Sequence, residues 1–162
     1  MLESTVVHDT FVLRRAFRQA PARVYAALAD PAKKRRWFGE GATHDVLAFE
    51  MDFRVGGAER ARYRLNANTP FPGAELAHDG AFVDIVPDQR ITIASTMSFG
   101  DKRISAALVT FEVLAAAEGT TLICTHQAVF YEGADGPEMR RAGWNQLLDQ
   151  LVRELASDGY DA

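Results

Sequence analysis

Trp144, Leu147, Leu148, Leu151, Val152 and Leu155 recur at three- and four-residue spacing between Pro137 and Ala156, and Asn145, Gln146, Asp149, Gln150, Arg153 and Glu154 fill the gaps. That is an amphipathic helix with one broad apolar stripe. The stripe needs a wide apolar partner, because tertiary packing rather than propensity supplies most helical stability. Nearly everything upstream reads as short strands, so the expected partner is a curved antiparallel sheet. The space between helix and sheet is the natural place to look for function.

The upstream chain divides cleanly. Residues 1–9 show no periodic pattern. Phe11, Leu13 and Phe17 alternate with Val12, Arg14 and Arg18 and predict a first strand. Pro21, after Ala20, opens a short helix with Val24, Tyr25 and Leu28 on its apolar face. Asp30 and Pro31 form an N-cap and first residue for a second short helix that stops at Gly39. From Val46 the period changes to two and runs to Phe53; Gly56-Gly57 then breaks the run as a turn or bulge. Glu59 to Leu65 alternates again, with Arg60, Arg62 and Arg64 on one face and Ala61, Tyr63 and Leu65 on the other. Asn66 to His78 is the longest expected loop, and Ala81–Val86, Ile91–Phe99, Ile104–Leu114 and Thr121–Phe130 are four further strands. The order is strand, two short helices, six strands, long helix: an α+β layout with a seven-stranded antiparallel sheet. With no repeat, linker or low-complexity segment, residues 1–162 are expected to form a single domain with a core over about 11–156.

Composition excludes several function classes. The chain is 48% hydrophobic and 25% charged, with a net charge of -4, so no basic footprint for nucleic acid is present. The basic run Lys33 to Arg36 reads as a solvated helix face. The single cysteine, Cys124, allows no internal disulfide. The N-terminus lacks a signal pattern and no apolar run is long enough to span a membrane, so the cytoplasm is the expected compartment. Nucleophile elbows, phosphate-binding and dinucleotide glycine loops and zinc-protease motifs are missing, and four scattered histidines have no metal-ligand spacing. No catalytic set, metal or cofactor is therefore expected.

Several short motifs, taken together, carry a family resemblance. They are Arg14-x-x-Phe17-x-x-Ala20-Pro21-x-x-Val24, Asp30-Pro31, Trp37-Phe38-Gly39, Gly56-Gly57, Gly80-x-Phe82-x-x-Ile85 and Pro87-x-x-Arg90. Thr110-Phe111-Glu112, Gly119-Thr120-Thr121-Leu122, His126 and Gly143-Trp144-x-x-x-Leu148 complete the series. In order and spacing the chain resembles the START-like (SRPBCC) superfamily, the helix-grip fold. Within it, the chain is most similar to the branch of homologues of the activator of heat shock protein 90 ATPase. The resemblance implies a seven-stranded sheet gripping the C-terminal helix, two short helices between strands 1 and 2, and a largely apolar cavity that binds small molecules. Where members often carry two adjacent tryptophans, this chain has Trp37-Phe38. The chaperone activators proper carry an additional N-terminal domain for which this chain offers no room, so direct chaperone activation is not expected.

The candidate ligand-binding residues are Trp37, Phe38, Phe71, Met97, Phe111, His126, Trp144 and Leu148. The aromatic members offer large rigid apolar area. Phe71, with Pro70 and Pro72, offers a cover for the cavity mouth. His126 shares the inward face of the last strand with Leu122 and Cys124; it is a base, a ligand contact or an ordinary core histidine. Cys124 reads as a small buried hydrophobe. Arg60, Arg62 and Arg64 are expected to pair with Glu50 and Asp52 across the outer face of the sheet.

The leading expectation is a binding protein for a small apolar or aromatic ligand, with no chemistry of its own. One alternative is a cyclase- or hydratase-type enzyme using the same cavity, with His126 or Glu50 moving protons. Another is a single-domain co-chaperone or stress-response protein acting through its surface. An edge strand open to pairing predicts a homodimer.

Overall fold

The computed structural model describes residues 2–158, the side chain of Asp158 excepted. Seven strands form one antiparallel sheet: β1 (Val7–Phe17), β2 (His44–Met51), β3 (Ala58–Leu65), β4 (Glu75–Val86), β5 (Arg90–Phe99), β6 (Lys102–Ala116) and β7 (Gly119–Phe130). Their order in space is β1-β7-β6-β5-β4-β3-β2. Strands β2 to β7 are a continuous meander, and β1 closes on its last member. Two short helices, α1 (Pro21–Ala29) and α2 (Pro31–Lys34), follow β1, and α2 runs directly into a π-helical turn, Arg35–Gly39. The long helix α3 (Pro137–Asp158) lies across the concave face.

The local devices are those the residues dictate. Pro21 and Pro31 each occupy a first-turn position, and the Asp30 side chain accepts the Lys33 amide at 3.1 Å. Gly56 has φ +85°, and a Cβ on Gly57 would sit 2.0 Å from the Asp52 carbonyl, so the β2–β3 turn requires this glycine pair. Register shifts at Val46/Ala48, Phe82/Asp84 and Met97/Ser98 bend the sheet towards the helix.

The helix grips by alternation. Trp144, Leu148, Leu151 and Leu155 are buried against Phe11, Leu13, Phe111, Leu122 and the α1 residues Val24 and Leu28. Polar contacts pin its outer edges: Arg15 reaches Asp149 at 3.2 Å and the Asn145 side chain at 2.9 Å, and Arg36 meets Glu154 at 2.5 Å.

Two strands are longer than the sequence pattern predicts. β1 starts at Val7 because β7 extends to Phe130 and supplies partners up to the pair Val7↔Phe130. β4 starts at Glu75, which shortens the expected 66–78 loop. Arg64↔Glu75 on one side and Leu76↔Phe99 on the other continue the ladder through a stretch that looks polar in sequence. The arginine row on β3 faces outward, as alternation requires, but its partners come from β4. Arg62 meets Asp79 at 2.9 Å, Arg60 meets Asp79 at 3.9 Å and Arg64 meets Glu75 at 3.8 Å, whereas Asp52 is taken by Arg54. The open sheet also has two edges, β1 and β2, where the sequence reading invoked one.

Candidate functional site

A cavity of about 400 Å³ lies between α3 and the concave face. Its walls are mostly apolar: Ile93 and Met97 from β5, Ala107 and Val109 from β6, and Trp144 and Leu147 from α3. The turn after α2 contributes Phe38, whose ring stands 5.9 Å from that of Trp144 and 5.4 Å from that of His78. The segment Gly41–His44 and the residues Tyr63 and Leu76 border another part, and Ser95, Ser105, Gln146, Gln150 and Arg153 add polar groups to the lining. His44 Nε2–H donates to the Gly39 carbonyl at 2.6 Å, and its ring meets Tyr63 edge-on at 4.7 Å.

One wall carries three buried ionisable groups from three elements. Lys34 ends α2, Glu59 stands on β3 and His78 on β4. Lys34 Nζ lies 2.5 Å from Glu59 Oε1, and His78 Nε2–H donates to Glu59 Oε2 at 3.0 Å. The Glu59 side chain is 0% exposed and that of Lys34 2%. The strand register explains the contact. Glu59 and Ala61 share the inner face of β3; His78 sits opposite Ala61 and Gly80 opposite Glu59, so the carboxylate and the imidazole are diagonal neighbours. Burial alone would raise the Glu59 pKa, but the Lys34 charge and the His78 hydrogen bond outweigh it and hold the carboxyl down at about 2. Lys34 Nζ also lies over the Phe38 ring at 4.8 Å, within cation–π range.

At the α3 N-terminal end, Arg140 forms a two-point pair with Asp135, 2.8 Å on each bond, and donates to Ser105 Oγ at 2.9 Å. His126 is buried, stacked on Phe11 at 4.6 Å and 6.0 Å from the Trp144 ring. Burial first, and the Arg140 charge second, lower its pKa to about 4, so its imidazole is neutral near pH 7. Its Nδ1 is buried with no hydrogen-bond partner among the described residues. Cys124 is fully buried in the core, and burial pushes its thiol up to about 12, which leaves it protonated and inert.

Of the eight residues singled out from the sequence, the structure brings four to the cavity: Phe38, Met97, His126 and Trp144. Trp37, Phe111 and Leu148 are not on its wall but behind it, in the closely packed core; the Trp37 indole N–H donates to the Ala27 carbonyl at 2.7 Å and is thereby turned away. Phe71 is not on the wall either: it is 59% exposed on the β3–β4 loop and packs edge-on against Phe99 at 5.4 Å. The sequence reading missed Lys34, Glu59 and His78. Lys34 was hidden in a basic run taken as solvent-facing, yet it is among the most buried side chains of the molecule. The signal for Glu59 was available, since it is in phase with the inward Ala61 and Tyr63. His78 fell in the supposed loop.

A curved seven-stranded sheet closed over a long C-terminal helix, with a cavity between them, defines a START-like, helix-grip protein. The family model for Activator of Hsp90 ATPase homolog 1-like protein matches residues 18–156, and the chain belongs to that family. Among solved structures, a protein of Rhizobium loti is 40% identical over 94% of this chain and 100% of its own, with a TM-score of 0.81. One from Rhizobium leguminosarum is 35% identical over 94% of this chain and 97% of its own, with a TM-score of 0.87. An AHSA1-like protein from Aeromonas hydrophila shares the fold, with a TM-score of 0.68 at 17% identity over 95% of this chain and 99% of its own. No curated protein matches the chain.

Proposed function

We propose that the protein binds a small apolar or aromatic molecule in the cavity between its sheet and α3. The cavity itself carries this reading. Its volume of about 400 Å³ falls in the range of small-molecule sites, and most of its lining surface is apolar, with polar and charged side chains such as Lys34, Glu59, His78 and Arg153 set into it. Affinity in the micromolar range, roughly −8 kcal/mol, is the expectation for a ligand that fills such a space. Native mass spectrometry of the purified protein, followed by titration of any co-purifying compound against tryptophan emission, tests the reading. A mass shift matched by an emission change supports it. A protein that carries no ligand and responds to none of a panel of fused-ring aromatics overturns it.

A second reading has its own observation, the Glu59–His78 contact. An imidazole oriented by a buried carboxylate is a suitable general base. On this reading the protein is a cyclase- or hydratase-type enzyme in which His78, rather than His126 or Glu50, moves the proton; Glu50 lies exposed on β2, outside the cavity. Turnover of the bound compound, lost in His78→Gln while binding persists, distinguishes this reading from the first.

The proposal extends to assembly. Both sheet edges, β1 and β2, offer backbone groups for pairing with a second copy, which makes a homodimer the expected species. Sedimentation over a range of concentrations that returns only a 17.9 kDa species rules this out.

A further inference from the structure

The charged side chains on the cavity wall do not cancel. Lys34 is paired with Glu59, and Arg140 with Asp135. Arg153, on α3, lines the same cavity and makes no ion pair or hydrogen bond among the described residues. Among those residues, the wall therefore keeps one cation in excess of its carboxylates. Tyr63 supplies no further negative charge, because burial raises its pKa and keeps the hydroxyl protonated. Protonating a wall histidine only adds to the positive excess, so its sign does not depend on the state of the imidazoles.

Arg153 is exposed, which places it at the mouth of the cavity rather than in its depth. Gln150 precedes it by one turn, so the two are neighbours on one face of α3, and both border the cavity. The Gln150 amide is also unused. Its Oε1 is buried without a hydrogen bond, and its NH₂ group has no partner among the described residues either. The mouth thus holds a guanidinium and an amide donor side by side. The same helix fixes the place for an apolar body. Trp144 and Leu147 line the cavity on the turns before Gln150. From Leu147 to Arg153 is about 9 Å along the helix axis. A fused ring beside Leu147 therefore brings a group on its far end to the guanidinium. A guanidinium donates two parallel N–H bonds to a carboxylate, and one unpaired cation matches one negative charge.

Resting on the ligand-binding reading above, we propose that the cavity takes an aromatic monocarboxylate. Its ring system lodges beside Trp144 and Leu147, and its carboxylate is held at the mouth by Arg153, with Gln150 as a second donor.

Three ligands of one shape and different charge test this: 2-naphthoate, 2-naphthylmethanol and 2-naphthylmethylamine, which are anionic, neutral and cationic at neutral pH. Titrated by calorimetry into the full-length protein at low salt, naphthoate should bind about fivefold tighter than the alcohol, as a partly solvated charge pair allows. The amine should bind most weakly. The chain as a whole carries a net charge of -4, so a general field would favour the amine instead. In Arg153→Gln the naphthoate advantage should vanish while the affinity for the alcohol holds, and Arg153→Glu should put the amine ahead of naphthoate. Arg153 is exposed, so neither change threatens the fold. Arg14→Gln removes the same charge from the outer face of β1 and should leave the order of the three ligands unchanged. Raising the salt to about 1 M should shrink the naphthoate advantage. Naphthoate binding no tighter than the alcohol, an advantage that survives in Arg153→Gln, or one lost equally in Arg14→Gln overturns this inference and leaves ligand binding standing. If none of the three binds, both fall.

Discussion

Gly80 faces Glu59 directly across the β3–β4 ladder, so the buried carboxylate has no side chain opposite it. A Cβ at Gly80 would already stand 3.1 Å from Ile93 Cγ2 and 3.4 Å from Ser95 Cβ. Gly80→Val should therefore crowd Ile93 and the Glu59 side chain and cost about 1–3 kcal/mol by overpacking. Chemical denaturation checks the figure, and a variant as stable as the parent would show that the space opposite Glu59 is larger than the contacts imply.

The grip of the sheet on α3 gives a sharper contrast between neighbours. Leu148 is fully buried and Asp149 faces outward towards Arg15. Leu148→Ala should cost about 2–5 kcal/mol, from lost transfer and a residual cavity. Asp149→Ala should cost within about 1 kcal/mol, the usual worth of a partly exposed ion pair. Equal denaturation midpoints for the two variants would reverse the assignment of the helix face.

His126 predicts how stability responds to acid. Its folded pKa, about 4, lies below the ordinary 6.5, so between these values the unfolded chain binds more protons than the folded one. Stability then rises with pH across that window and is lost on acidification, by at most about 3 kcal/mol. His126→Phe should flatten the slope between pH 6.5 and 4. Glu59 acts lower: its depressed pKa adds stability that is complete above about 4.5 and lost as pH falls towards about 2. A midpoint-against-pH curve of the same steepness in His126→Phe would exclude the histidine as the cause.

The two tryptophans should separate in ligand experiments. Trp144 is on the cavity wall, whereas Trp37 is held behind it by its bond to Ala27. Trp144→Ala should weaken binding of a fused-ring aromatic by at least tenfold, and Trp37→Ala should act mainly on stability. A larger affinity loss from Trp37→Ala would place the ligand elsewhere.

Cys124 should be silent while the chain is folded. Its thiol is buried and its pKa is pushed up to about 12 by that burial. A thiol reagent such as dithionitrobenzoate should react at the rate of unfolding under native conditions and at once in denaturant. Prompt reaction in the native state would mean that the core opens locally at β7.

The apolar stripe of α3, the Gly56-Gly57 turn, the Asp30 cap and the inward phase of His126 were legible because each is a local signal of period or turn chemistry. The charged wall of the cavity was not. Lys34 sits in a run whose composition is that of a solvated surface, and only the packing of α2 against the sheet turns this one side chain inward. The stretch from Glu75 to Asp79 carries loop-like composition because its outward positions are charged, and the ladders on both its flanks override that composition. Without β4 in place, nothing puts His78 beside Glu59. The missing information was tertiary pairing, which a one-dimensional pattern does not carry.

The placement of β1 has a consequence for how the chain acquires its shape. Its sole strand partner among the described residues is β7, the last strand made, so the pairs from Val7↔Phe130 to Phe17↔Thr120 join the first and last strands of the chain at one edge of the sheet. During synthesis the first strand leaves the ribosome while its mate is still untranslated, with Phe11, Leu13 and Phe17 uncovered in the meantime. Domains built on such distant pairings fold slowly and expose apolar surface while they wait. The α1 and α2 helices, complete early and local in their contacts, offer those side chains their first shelter. The nascent chain is thus at greatest risk of aggregation late in translation, in the interval before residues 119–130 emerge.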